Sequence, residues 1–301
     1  MKRFALITAA VAACLTMTSC LDDDDNKSTN TQTRSYANCF NTVYDSTTGD
    51  VTVTTQPKYT LTITTSTNGH NTLRLEMTNI RLSDEIANTT FILPELPMTV
   101  TGTAAPYAEA TDVRPTNISP GQGINFSKIY VSVLDRYIRN ETTTGNQFYP
   151  VYTINFVVNN RYTVTAYPTE IYYFGETKST ADADGSVYTT RSPRYAMIID
   201  PAKKTARIDI TGAQFVGAMP AMNMTFPDVA MTPGISDLTL AADALTPTIA
   251  GTPYPTFPIT DLTATVSPRN GSATLAFDCD AARVGKYHVD AKLDYLPRQA
   301  E

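Results

Sequence analysis

Few residues in this chain have the type and spacing to do chemistry. His70 and His288 are its only histidines. His70 follows Asn68-Gly69, and His288 stands between Tyr287 and Val289; neither has a second histidine or a carboxylate at ligand spacing, so both read as solvent-facing. Asp278 and Asp280 flank Cys279 and share one face of a strand. Two such carboxylates could serve as acid and base or bind a cation, but an exposed strand face has the same pattern. Asp182-Ala183-Asp184-Gly185 resembles part of a calcium loop without its further oxygen ligands or closing glutamate, and a hairpin turn is the better reading. Glu170 and Glu176 stand without identifiable partners. The chain holds no Gly-x-Ser-x-Gly elbow, phosphate-binding glycine loop or Cys-x-x-Cys. It therefore reads as no enzyme, with no catalytic residue, cofactor or metal ligand assigned; a hydrolase using a carboxylate pair is the weakest alternative.

Lys2 and Arg3 precede an apolar run from Phe4 to Leu15, too short to span a bilayer, so residues 1–19 read as a signal peptide. Met17-Thr18-Ser19-Cys20 resembles a bacterial lipobox, which implies that Cys20 becomes a lipidated N-terminus; a plain secreted protein is the alternative. Several acyl chains on one residue anchor stably where one is marginal. Asp22 to Asp25 read as a solvated acidic run, and they also resemble the export signal of surface lipoproteins of Bacteroidota. That resemblance implies an outer-membrane, lipid-anchored protein at the cell surface, with the periplasmic face as the alternative. Asn26 to Ser35 hold no apolar residue, so residues 20–35 read as a lipidated flexible tether. Loss of Lys2 and Arg3 takes the net charge from -6 to -8 (21 Lys and Arg against 29 Asp and Glu). An acidic body with no basic run argues against nucleic acid, and leaves the anchor as the only membrane contact.

Cys14 leaves with the signal, so Cys39 and Cys279 remain. They could bridge in an oxidising compartment if their Cα atoms lie within about 7 Å; two buried free thiols are the alternative. Asp45-Ser46-Thr47 resembles the O-glycosylation sequon of Bacteroidota, which implies Ser46 as an acceptor.

These residues must be positioned by strands. Tyr is plentiful (17), Trp is absent, and Thr and Val recur in alternation, while no segment holds a helical period. The chain reads as all-β. It also reads as a duplication. Gly49-Asp50-Val51 and Pro57-Lys58-Tyr59 match Gly185-Ser186-Val187 and Pro193-Arg194-Tyr195, and Leu93-Pro94-Glu95-Leu96-Pro97-Met98-Thr99 falls on Phe226-Pro227-Asp228-Val229-Ala230-Met231-Thr232. Apolar positions keep phase, which implies shared strands. The expected organisation is two tandem antiparallel β-domains, 36–167 and 172–295, with about seven or eight strands each. Each is a small barrel or, alternatively, a sandwich. Leu134 to Val151 is extra in the first copy and reads as a longer hairpin.

The hairpin at Asn68-Gly69, the return strand ending in Asn79-Ile80, and Ile92-Leu93-Pro94-Glu95-Leu96-Pro97-Met98-Thr99 resemble the calycin-like β-barrel domain of Bacteroidota lipoproteins. The resemblance implies barrels and brings no catalytic residue. The functional expectation is a non-enzymatic lipoprotein that binds a small or extracellular ligand, glycan or lipid-like. The alternative is a structural or adhesion module contacting an envelope or host protein.

Overall fold

The computed structural model describes residues 29–67, 69–100, 105–139, 146–281 and 285–295. The expected signal peptide, Cys20, the aspartate run and Asn68 lie outside them. The first repeat supplies β1 (Thr29–Tyr36), β2 (Cys39–Asp45), β3 (Val51–Thr55), β4 (Lys58–Ser66), β5 (Thr72–Ile80), β6 (Thr89–Ile92), β7 (Leu96–Thr99), β8 (Tyr107–Val113), β9 (Phe126–Arg139), β10 (Asn146–Val158) and β11 (Tyr162–Pro168). The second supplies β12 (Glu170–Ala181), β13 (Val187–Thr190), β14 (Arg194–Asp200), β15 (Thr205–Ala213), β16 (Met222–Pro233), β17 (Leu238–Leu245), β18 (Thr248–Ile249), β19 (Thr252–Pro253), β20 (Ile259–Ser267), β21 (Ser272–Ala281) and β22 (Gly285–Asp294). Thr169 alone separates the repeats. Its N–H donates to Asn38 O and its carbonyl accepts from Ile199 N–H.

Alternation sets these strands. Tyr59 and Leu61 on β4, and Leu73, Leu75 and Met77 on β5, all point inward. Asn159-Asn160, both at positive φ, form the centre of the turn between β10 and β11, which Arg161 N–H closes by donating to Val158 O at 3.0 Å. Residues 93–95, around Pro94, separate β6 from β7, whereas β16 runs on through the equivalent Pro227. The extra stretch of the first copy extends the β9–β10 ladder out to Arg139 and Asn146.

In the second repeat β12, β14, β15, β16, β17, β20, β21 and β22 each pair with the next, and β22 returns to β12. The result is a closed eight-stranded up-and-down barrel, so the sandwich alternative is set aside. The first repeat follows the same order but is open, because its closing strand is broken: β1 pairs with β4, and β2 pairs with β11. Register explains the break. Tyr36 opposite Tyr59 corresponds to Tyr173 opposite Tyr195, and Cys39 opposite Pro168 corresponds to Gly175 opposite Leu293. Between those positions the first copy has Ala37 and Asn38 where the second has Phe174 alone. Gly175 lets β12 run on: a Cβ there would sit 1.9 Å from the Lys292 carbonyl oxygen.

β1 corrects the expected tether, because Thr29 to Ser35 are strand. A segment without apolar residues needs only an open sheet edge and cross-strand hydroxyls. Thr31 meets Thr64 at 3.3 Å, Thr33 meets Thr62 at 3.3 Å and Ser35 meets Thr60 at 3.1 Å.

Aromatic rings fill both lumens. Phe277 meets Phe215 and Phe226 edge-on at 5.3 and 5.2 Å, and Phe126 meets Phe91 and Phe156 at 5.3 and 5.4 Å. Of the two alternatives for the cysteines, the structure has the free thiols: Cys39 and Cys279 are unbridged and buried in the separate cores of the two repeats. Burial pushes each thiol up to about 12, so both stay protonated and unreactive.

The repeats dock through residues that differ between the copies. Phe40 and Tyr167 point out from the first sheet, stack at 5.2 Å and join the apolar cluster of the second repeat. Their counterparts by register are Glu176 and Lys292, both exposed. Thr165 Oγ1 donates to Ile235 O at 3.2 Å and Thr153 Oγ1 to Pro268 O at 3.1 Å, fixing two turns of the second barrel on the wall of the first.

Candidate functional site

Two clefts lie at the periphery of the barrels, at corresponding places in the two copies. Each copy has a flap strand, β3 or β13, that folds back beside the strand before it. Each also has a loop between the strands that follow, 81–88 in the first copy and 214–221 in the second. A cleft of about 540 Å³ lies between β3 and the 81–88 loop. A smaller one of about 240 Å³ lies between β13 and the 214–221 loop.

Local chemistry builds the larger cleft. Thr52 and Thr54 face inward from β3, because they pair directly with the inward Val43 and Asn41. Gln56 and Asn79 close one end, both at positive φ, and Asn79 Nδ2 donates to Gln56 O at 3.4 Å. Asn tolerates the left-handed region and Gln rarely adopts it, so the backbone here is held by its surroundings. Asn79 is a bulge: Met77 and Ile80 both face inward across a register shift. Gly212 at φ 70° repeats that bulge in β15. Arg81 closes the other end, paired with Asp84 at 2.5 Å, an exposed pair that adds little stability and leaves a planar fork at the rim.

One group in this cleft lacks a partner. Thr54 is 9 % exposed and its Oγ1 makes no hydrogen bond; Asn41 Nδ2, across the β2–β3 ladder, makes none either. A buried polar atom without a partner costs about 1–3 kcal/mol. The rest of the lining is hydroxyl and amide at Thr52, Thr55, Ser83 and Asn88, with the Asp84 carboxylate beside Arg81 and two apolar side chains, Val53 and Leu82.

The candidate residues from the sequence lie elsewhere. His70 is exposed, as expected. His288 is half-exposed but is not alone, because cross-strand pairing puts its Nδ1 2.6 Å from Asp278 Oδ1 and its Nε2 3.4 Å from Asp290 Oδ1. The hydrogen bond to Asp278, with the charge of Asp290, raises its pKa. Asp278 is thus engaged with a histidine, and neither it nor Asp280 lines either cleft. Asp182 to Gly185 form a turn in which Ser186 N–H donates to Asp184 Oδ1 at 2.9 Å. Glu170 accepts from Tyr172 Oη, and Glu176 pairs with Arg191 at 3.1 Å. Ser46 is exposed at the tip of the β2–β3 hairpin. Asp45 beside it accepts from Arg161 Nε and Nη2 at 2.9 and 2.7 Å and from Thr47 N–H at 2.9 Å. Those bonds, the Arg161 pair first, hold the Asp45 carboxyl well below the usual range. Among the described residues no three His, Cys, Asp or Glu side chains are grouped to hold a metal ion.

Sequence reasoning missed both clefts. Their one sequence signal is the bulge after the return strand, Asn79 in one copy and Gly212 in the other.

No protein-family model matches the chain, and no curated protein does, so the calycin-like resemblance rests on the residues that carry it. Two solved structures are similar over most of its length. One is a protein of Bacteroides fragilis assigned to the outer membrane, with 14 % identity and a TM-score of 0.34 over 86 % of this chain and 96 % of that one. The other is Transferrin Binding Protein B of Haemophilus parasuis in a double-mutant form, with 7 % identity and a TM-score of 0.23 over 89 % of this chain and 76 % of that one. Similarity at that level carries no argument about ligand or partner.

Proposed function

We propose that this protein is a non-enzymatic, lipid-anchored envelope protein of the outer membrane, held at the cell surface through Cys20. It binds a hydroxyl-rich extracellular ligand, a carbohydrate, in the cleft between β3 and the 81–88 loop. The observation that carries this is the unpartnered Thr54 hydroxyl at the base of a cleft whose lining is mostly hydroxyls and amides, with one guanidinium, one carboxylate and the apolar Val53 and Leu82. Such a lining matches the alternating donors and acceptors of a sugar. Ser46, exposed on its turn, remains the proposed O-glycosylation site.

The test is isothermal titration of the mature chain carrying Cys20→Ala with a panel of oligosaccharides. A member of the panel should bind, and Thr54→Val should weaken it about three- to tenfold, the worth of one hydrogen bond of about 0.5–1.5 kcal/mol. Binding that Thr54→Val leaves untouched, or none across the panel, refutes the proposal. The filled cores favour a second reading, in which the repeats are spacers or adhesion surfaces for an envelope or host protein. Cell-surface cross-linking that captures one reproducible partner, with no saccharide bound, would establish that reading instead. Anchoring is tested separately by the mass of the mature N-terminus, which should carry acyl chains on Cys20 and lose them in Cys20→Ser.

A further inference from the structure

The smaller cleft occupies the same place in the second repeat but has a different lining. Val187 and Tyr188 correspond to Val51 and Thr52 of the flap, and Val216, Gly217 and Ala218 correspond to Ser83, Asp84 and Glu85 of the loop. Tyr287 forms a further wall. The polar rim of the first copy has thus become a mostly apolar and aromatic one, with the exposed Ser186 as its remaining small polar side chain. Ser179 stands among these residues on β12 with its side chain inward. It is 1 % exposed and its Oγ makes no hydrogen bond. A serine kept in that state costs stability unless something brought into the cleft bonds to it.

We propose that this cleft is a second binding site, for a single aromatic ring bearing a hydroxyl. Volume sets the size, since an apolar cavity of about 150 Å³ holds benzene, and about 240 Å³ leaves room for a few substituent atoms. Lining sets the class. A hexose would press several hydroxyls against Val187, Val216 and Ala218, where they find no partner, at about 1–3 kcal/mol each. An alkyl chain would leave Ser179 as it is. A phenolic ring packs its faces and edges on Tyr188 and Tyr287 and directs its one hydroxyl to Ser179 Oγ. Gly217 holds the entrance open beside Tyr188: a Cβ there would touch the Tyr188 ring at 3.7 Å, ordinary contact, so larger side chains are sterically admitted and would fill the cleft.

The test is ligand-observed NMR titration of the mature Cys20→Ala chain with p-cresol, toluene and a methyl hexopyranoside. p-Cresol should bind saturably and more tightly than toluene, and the sugar should not compete. Ser179→Ala should weaken p-cresol about three- to tenfold, bring it level with toluene, and leave or raise the melting temperature, since it removes an unpaired buried hydroxyl. Gly217→Val should abolish binding of both, with an unchanged far-UV spectrum showing that it folds. Equal affinity for p-cresol and toluene in the wild type, no effect of Ser179→Ala, or competition by the sugar would overturn the proposal. Thr54→Val should leave p-cresol binding unchanged, so the two sites stand or fall separately.

Discussion

Closure of the second barrel depends on one residue without a side chain, and Gly175→Ala tests it. At Gly175 β12 changes neighbour, from β14 on one side to β22 on the other. An added Cβ would lie 1.9 Å from Lys292 O, 2.9 Å from Lys292 C and 2.9 Å from Leu293 Cα. All three are backbone atoms of a paired strand and cannot swing aside. Restoring contact requires β22 to retreat by more than an ångström, which strains or breaks the ladder bonds around Leu293. Two such bonds at about 0.5–1.5 kcal/mol each, with about 1–3 kcal/mol of overpacking, put the loss at about 2–6 kcal/mol. Urea denaturation followed by tyrosine fluorescence and far-UV circular dichroism measures it, since the chain has 17 tyrosines and no tryptophan. Gly121→Ala is the control, because a Cβ there meets nothing within 4 Å. If Gly175→Ala stays within about 0.5 kcal/mol of the control, this account of why the second repeat closes and the first does not is wrong.

Three further outcomes are expected. Phe40→Ala empties a fully buried site between the repeats; it should cost about 3–5 kcal/mol and split one calorimetric transition into two, whereas one unsplit transition would show that the repeats do not depend on that contact. Asp45→Asn should lower the melting temperature at pH 7 and have no effect at the lowest pH. A depressed carboxyl pKa gives stability present above the unfolded value of about 4 that is lost as pH falls through the folded value. His288→Gln has the opposite sign, because a raised histidine pKa gives stability present below about 6.5 that is lost as pH rises through the folded value. The gap in melting temperature from wild type should therefore be largest near pH 5.5 and vanish near pH 9; a gap that grows with pH contradicts the pairing with Asp278.

Much of the fold was legible because alternation and turn chemistry are local. β4, β5, β14 and β15 stand where Tyr59 to Ile63, Leu73 to Met77, Tyr195 to Ile199 and Ala206 to Ile210 place them. The duplication reappears as the same order of strands around each sheet, with Asp45–Asp50 and Ala181–Ser186 closing the same turn. β1 was hidden because a threonine ladder on an open edge has no apolar signature. The docking of the repeats was hidden because Phe40 and Tyr167 look like any strand aromatics; only register shows that they face outward. His288 looked solitary because Asp278 and Asp290 meet it across a ladder and along its own strand, with no motif to mark them. The clefts are assembled from a flap and a loop about thirty residues apart in each copy, and an unpaired hydroxyl is a property of surroundings that spacing cannot carry.

The most direct test of ligand binding in the first cleft is native mass spectrometry of the protein purified from its own envelope, beside a Thr52→Trp variant. Thr52 is an exposed inward-edge residue of the cleft, so the indole should fill it without disturbing the core. The account predicts a carbohydrate mass adduct on the wild type that is lost on denaturation and missing from the variant. A bare mass for the wild type, or an adduct that Thr52→Trp retains, would contradict it.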